Sequence, residues 1–85
     1  MTRLIPAAER ILLARELIQK AREYPLPVEG GKYDFSYIAQ VKDLLRQARD
    51  LVKYIPQTAG ASAEIKAEAA KIKIEADHAD REILH

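Results

Sequence analysis

Apolar residues recur every three or four positions along three segments of the 85-residue chain. This is the spacing of residues on one face of an α-helix. Proline and glycine separate the segments at Pro6, in the stretch 24–34 and in the stretch 55–62. No segment shows the strict alternation that is typical of a β-strand. The pattern predicts three helices, at about 6–24, 34–55 and 62–84, within one helical domain that spans 1–85.

The residue types at the segment ends support these bounds. Proline is well placed in a first helical turn, because an N–H there would have no helical partner. The side chain of Asp34 or Ser36 can accept a hydrogen bond from the free amides of the second helix, and Ser62 can cap the third. Pro56 is expected to end the second helix, because proline lacks the N–H that a helix interior needs.

The apolar faces of the three segments predict how the helices pack. In the first and third helices, alanine is mixed with isoleucine at heptad spacing, which allows helix axes to approach closely. The first face consists of Ala7, Ile11, Ala14, Ile18 and Ala21. The third, here called the inner seam, consists of Ile65, Ala69, Ile72, Ala76, Ala79 and Ile83. The second face is bulkier, with Ile38, Val41, Leu44, Leu45, Ala48, Leu51, Val52 and Ile55. We expect an all-α protein: a three-helix antiparallel bundle or an extended helical hairpin, completed by oligomerisation.

The third helix has a second apolar face. Ala63, Ala67, Ala70 and Ile74, here called the outer stripe, fall nearly opposite the inner seam at 100° per residue. One interpretation is that exposed alanine simply favours helix formation. The other is a contact with a second copy of the chain. The pattern fits both interpretations equally; a chain this short buries only a thin core, and such chains often add a second subunit.

Composition and charge exclude several classes of function. The chain has no cysteine, which excludes disulfides, thiol catalysis and cysteine-rich zinc sites. It has no asparagine and one methionine, a composition typical of thermophilic proteins. It has no apolar run long enough to cross a bilayer, and its start lacks the apolar stretch of a signal peptide, so we expect a cytoplasmic protein without membrane contact. A net charge of +1 argues against nucleic acid as a partner.

Charge along the second helix suggests a further surface. Lys42, Arg46, Arg49 and Lys53, here called the basic ridge, are spaced 4-3-4 and could bind an acidic protein partner. The third helix has Glu64, Glu68 and Glu75 on one flank of its inner seam. If the second helix packs on the inner seam, these two charged rows lie on opposite sides of the hairpin. We expect this packing because buried apolar area outweighs surface ion pairs. Arg49 and Glu68 then do not meet.

The stretch "EADHAD" (75–80) raises the possibility of a metal site. Helical geometry places Glu75 and His78 on one flank of the inner seam, and Asp77 and Asp80 on the other. Glu75-x-x-His78 resembles the ligand motif of di-iron and di-manganese carboxylate bundles, which use two such motifs. The sequence has one such motif, so a site would need a second subunit. The simpler interpretation is an exposed histidine beside Glu75 and Glu82.

The acid pairs raise a related possibility. Small all-helical nucleotide pyrophosphohydrolases bind magnesium through acid pairs on adjacent helices. Here the pairs Glu64/Glu68 and Asp77/Asp80 lie on different flanks of one helix, and the resemblance ends there. A metal-dependent hydrolase of this kind, with an intersubunit site drawn from Glu64, Glu68, Glu75 and His78, is one alternative function. We expect no metal, cofactor or catalytic residue in the chain alone.

The remaining motifs are weak. Ser36 and Ser62 are the only serines, and "VEGGK" (28–32) lacks the spacing of a phosphate-binding loop. The aromatic residues around the stretch 24–37 are expected to fill one end of the bundle, or alternatively to form a stacking surface. The leading hypothesis is a non-enzymatic helical assembly or interaction protein that forms a homo-oligomer. The alternatives are the metal-dependent hydrolase and an adaptor that binds an acidic partner through the basic ridge.

Overall fold

The fold consists of helices and short turns. The computed structural model describes Pro6–Leu84 except for the side chain of Lys32, and contains no β-strand within that range. The helices are α1 (Ala7–Glu23), α2 (Phe35–Val52) and α3 (Ala63–Leu84). Two short 3-10 turns lie at Gly31–Tyr33 and Ile55–Gln57. The prediction of an all-α protein with three helices is confirmed.

Local chemistry explains where the helices begin and end. Asp34 caps α2, because its Oδ1 accepts a hydrogen bond from the amide of Tyr37 at 2.9 Å. Ser62 caps α3, where its Oγ accepts from the amide of Ile65 at 3.2 Å. The end of α2 differs from the prediction, since the helix stops at Val52 rather than 55. Pro56 has no N–H to bond to the carbonyl of Val52, and the chain passes instead into the 3-10 turn Ile55–Gln57.

Contacts at the helix ends fix the direction of each helix. Tyr24, just after α1, packs against Tyr37 in the first turn of α2, with ring centroids 5.9 Å apart. At the other end, Arg10 of α1 and Leu51 of α2 line the same surface pocket. Helices α1 and α2 are therefore antiparallel.

The direction of α3 follows from two ion pairs with α1. Arg15 bonds to Glu68, and Arg22, further along α1, bonds to Glu82, further along α3. Helices α1 and α3 therefore run in the same direction. All three helices contact one another, which gives an up-down-up arrangement.

The core lies where the three predicted apolar faces meet. The inner seam of α3 is buried at Ala69, Ile72, Ala76 and Ala79, and Leu45 of α2 is among the largest fully buried side chains. Six of the 14 buried hydrophobic residues in the described range are alanines, so the core is tight but contains little bulk. The Cα radius of gyration is 14.3 Å, whereas a compact chain of this length would have about 12 Å.

The aromatic residues of the α1–α2 connection correct one prediction. Tyr24 and Tyr37 pack together at this end of the bundle, but Tyr33 is 76% exposed and Phe35 is 89% exposed. The expectation that these aromatic side chains together fill the bundle end is therefore wrong. The reason is the cap at Asp34, which starts α2 at Phe35 and places that side chain on the outward face of the helix.

Candidate interaction surfaces

The outer stripe of α3 is uncovered in the single chain. Ala63, Ala67 and Ala70 are exposed, and Ile74 is 57% exposed, although Ile72 two residues earlier is fully buried. The two isoleucines point to opposite sides of one helix, since residues two apart are about 200° apart around its axis. Helices α1 and α2 therefore cover the inner seam and leave the outer stripe to solvent.

Charged side chains border the outer stripe on both sides. By helical geometry, Glu64 and Lys71 lie along one edge, and Lys66 and Lys73 lie along the other. The ammonium group of Lys71 is 3.3 Å from the carboxylate of Glu68, on the same helix. The stripe is thus a narrow apolar band with a charged rim, which is how the core and rim of a protein interface are arranged.

The acidic flank of α3 faces α1, where two arginines bind it. Arg15 donates to Glu68, and its guanidinium also lies 3.9 Å from the carboxylate of Glu75. A hydrogen bond from Arg15, followed by one from Lys71, holds the pKa of Glu68 below its ordinary value. These contacts tie α1 and α3 together along their length.

The second arginine repeats this arrangement one heptad later. Arg22 donates to Glu82, and this hydrogen bond, with the arginine charge, lowers the pKa of Glu82. The sequence reasoning did not identify Arg15 and Arg22 as partners of α3. The sequence contains a signal for these pairs. Arg15 and Arg22 lie seven residues apart beside the apolar face of α1, and Glu68, Glu75 and Glu82 are also seven residues apart.

In the described part of the chain, the four proposed metal ligands do not form a cluster that could hold a metal ion. Glu68 and Glu75 approach Arg15, as described above. Glu64 and His78 are exposed on α3. Between Pro6 and Leu84, no three carboxylate or histidine side chains are grouped so that they could hold a metal ion.

The basic ridge lies on the outward side of α2, next to the second flank of α3. Arg49 bridges the two helices: its Nη2 lies 2.9 Å from Asp77 Oδ1 and 3.6 Å from Asp80 Oδ2. These two aspartates lie on the flank opposite Glu68. The prediction that α2 packs on the inner seam, with Arg49 and Glu68 on opposite sides, is confirmed.

Two other residues of the basic ridge form ion pairs with aspartates of α2. Arg46 donates to Asp43 at 2.6 Å and to Asp50 at 3.2 Å, and the bond to Asp43 raises the pKa of Arg46. Lys53 lies 3.6 Å from Asp50 and 5.0 Å from the centre of the Tyr54 ring. Of the four residues of the basic ridge, only Lys42 forms no ion pair with the described residues. The ridge is therefore more nearly neutral than its four basic residues suggest.

No family model matches the chain, and no significant similarity to a curated protein or to a solved structure was found. In the range that the structure covers, no helix combines the length and the apolarity that a membrane crossing requires.

Proposed function

We propose that this protein is a non-enzymatic helical assembly protein that forms a homo-oligomer through the outer stripe of α3. The observation that carries the proposal is the exposure of Ile74, together with Ala63, Ala67 and Ala70, on a helix whose other face packs against the core. Burying an isoleucine side chain contributes about 1.5–3 kcal/mol. Flanking alanines let the backbone of a second helix approach closely enough to bury it.

A second copy of the chain is the partner that this stripe fits best. Within one chain, α1 and α3 already pack through faces that mix alanine with isoleucine. The outer stripe has the same 4-3-4 spacing and the same two residue types, with more alanine, so another α3 offers it a surface of matching shape. Self-pairing about a two-fold axis uses the same face on both chains and gives a closed dimer.

The other two candidate functions have less support. Three of the four side chains in the basic ridge are already ion-paired within the chain, which reduces the charge available to an acidic partner. The metal-dependent hydrolase would draw on Glu68 and Glu75, which face the guanidinium of Arg15. An assembly role requires neither a free basic surface nor a metal.

Sedimentation of the wild-type chain and of matched glutamate variants tests the proposal. The wild type should form a dimer, and Ala67→Glu or Ala70→Glu should sediment as monomers, because each places a charge in the apolar band. Ala39→Glu is the control, since Ala39 is an exposed alanine on α2, away from the stripe. All three variants should retain the helical circular dichroism of the wild type. A wild-type chain that stays monomeric at high concentration contradicts the proposal.

A further inference from the structure

We infer that the two copies meet with their α3 helices antiparallel, so that Ala67 lies opposite the partner's Ala70 and Ala63 lies opposite the partner's Ile74. This orientation rests on the proposed dimer and specifies the partner surface. The outer stripe begins at Ala63 and ends at Ile74, so an antiparallel pair that buries all of it is centred between residues 68 and 69. The same register places Glu64 next to the partner's Lys71.

Packing favours this orientation. In the antiparallel register, each end of the interface sets one isoleucine against one alanine, and the middle sets alanine against alanine. The distance between the helix axes can then stay nearly constant. In a parallel pair, three layers would set alanine against alanine, and the last would set Ile74 against its own counterpart. The two helices would have to diverge toward that end, with loss of contact.

Charges at the rim favour the same orientation. In an antiparallel pair, equivalent edges of the two stripes meet. The edge that carries Glu64 and Lys71 then forms two attractive pairs per dimer, and the other edge forms two repulsive pairs between Lys66 and the partner's Lys73, so attraction offsets repulsion at the rim.

In a parallel pair, unlike edges meet. Lys66 then lies by the partner's Lys71, and Lys73 lies by the partner's His78, so neither edge gains an attractive pair. Antiparallel helix dipoles also attract each other, whereas parallel dipoles repel. Both electrostatic contributions therefore select the antiparallel dimer.

Single-cysteine variants can read the orientation directly, because the chain has no cysteine of its own. In the antiparallel register, Ala63 and its own counterpart are 11 positions apart along the helix axis, or about 16 Å. A disulfide requires Cα atoms within about 7 Å. Ala63→Cys alone and Ile74→Cys alone should therefore remain uncross-linked on mild oxidation. An equimolar mixture should give the Ala63→Cys/Ile74→Cys heterodimer, identified by its mass.

A charge reversal gives a second readout on the uncross-linked protein. Lys71→Glu should weaken the dimer about two- to thirtyfold, because two rim pairs of ordinary strength become repulsive. Adding Glu64→Lys to this variant should restore the wild-type dissociation constant. In a parallel dimer, Lys71→Glu would instead relieve the repulsion by Lys66 and tighten association.

The outcomes separate the orientation from the dimer itself. Reduced wild-type protein that sediments as a monomer removes the proposed assembly function and the orientation with it. A wild-type dimer whose Ala63→Cys variant cross-links to itself overturns the antiparallel orientation and leaves the assembly function intact. A wild-type dimer that gives no cross-link in the mixture, and no rescue by Glu64→Lys, overturns the register. Cross-linking in the mixture alone, with rescue, establishes it.

Discussion

Neighbouring residues with similar chemistry have different environments in this chain, and the cap at Asp34 is the cause in one case. Phe35 and Tyr37 are both aromatic and two positions apart, yet Phe35 is 89% exposed and Tyr37 is 5% exposed. The sequence offered either Asp34 or Ser36 as the cap of α2, and the choice sets which aromatic side chain faces the core. A pattern of residue types does not resolve a one-residue choice of this kind.

The cap can be tested by removing its side chain. Asp34→Ala should lower the free energy of unfolding by about 1 kcal/mol, because the amide of Tyr37 loses its hydrogen-bond partner at the start of α2. Urea denaturation followed by circular dichroism measures the loss. Ser36→Ala is the matched control and should stay within about 0.5 kcal/mol of the wild type. A larger loss for Ser36→Ala than for Asp34→Ala would show that the cap is misassigned.

At the scale of the element, α3 has two apolar faces with different roles. The inner seam was predictable because it combines heptad spacing with the larger aliphatic side chains. The outer stripe was predictable as a pattern, and the larger apolar area of the inner seam favoured packing of α2 on that face. The structure settles this point, since Ile72 is fully buried and Ile74 is 57% exposed.

Ile72 and Ile74 form a matched pair for testing the two faces. Ile72→Ala should lower the free energy of unfolding by about 2–5 kcal/mol, because it removes buried methyl groups and leaves a cavity. Ile74→Ala should change the stability of the monomer by less than about 0.5 kcal/mol. Both substitutions are best made in the Ala67→Glu background, where association is suppressed. Equal losses in that background would contradict the assignment of the inner and outer faces.

A second test at this scale concerns the ion pairs between α2 and α3. It asks which flank of α3 faces the basic ridge of α2. Arg49 and Asp77 should couple by about 0.2–1 kcal/mol in a double-mutant cycle, as exposed ion pairs do. Arg49 and Glu68 should show no measurable coupling, because they lie on opposite flanks of α3. Alanine variants measured by chemical denaturation provide both cycles. Significant coupling between Arg49 and Glu68 would place α2 on the outer stripe instead.

At the scale of the whole molecule, the rows of charged residues form ion pairs between helices, here called clamps. The three helices and most of the core followed from apolar spacing, because heptad spacing is a property of the sequence. The cross-helix pairs depended on how each helix is rotated about its axis, and this became clear only when all three helices were in place. The partners of Glu68 and Glu82 on α1 were therefore not predicted, although the seven-residue spacing of Arg15 and Arg22 allows these pairs.

These clamps should make stability depend on pH in acid. The pKa values of Glu68 and Glu82 are lowered in the folded state, so the unfolded chain binds protons more readily. Their contribution to stability is complete above the unfolded pKa, which is near 4.5, and is lost as the pH falls through the folded pKa. The urea concentration at the unfolding midpoint should decrease as the pH is lowered from about 6 to about 3.

A variant that lacks one clamp isolates this contribution. Glu68→Gln should flatten the acid dependence, because its side chain cannot titrate. Glu9→Gln, which changes an exposed carboxylate of α1 that forms no ion pair within the described range, should keep the wild-type slope. If both variants follow the wild-type curve, the paired carboxylates are not the source of the acid sensitivity.

The alanine-rich core also has a consequence for how stability varies with temperature. Alanine loses no rotamer entropy when it is buried, so ordering this core costs less than ordering one made of leucine or methionine. The apolar area that unfolding exposes to water is correspondingly small. An average chain of 85 residues unfolds with a heat-capacity increase of about 1.0–1.3 kcal/mol/K. The single chain should fall below this range, and its stability curve should be broad and flat, with little loss of folded protein on cooling.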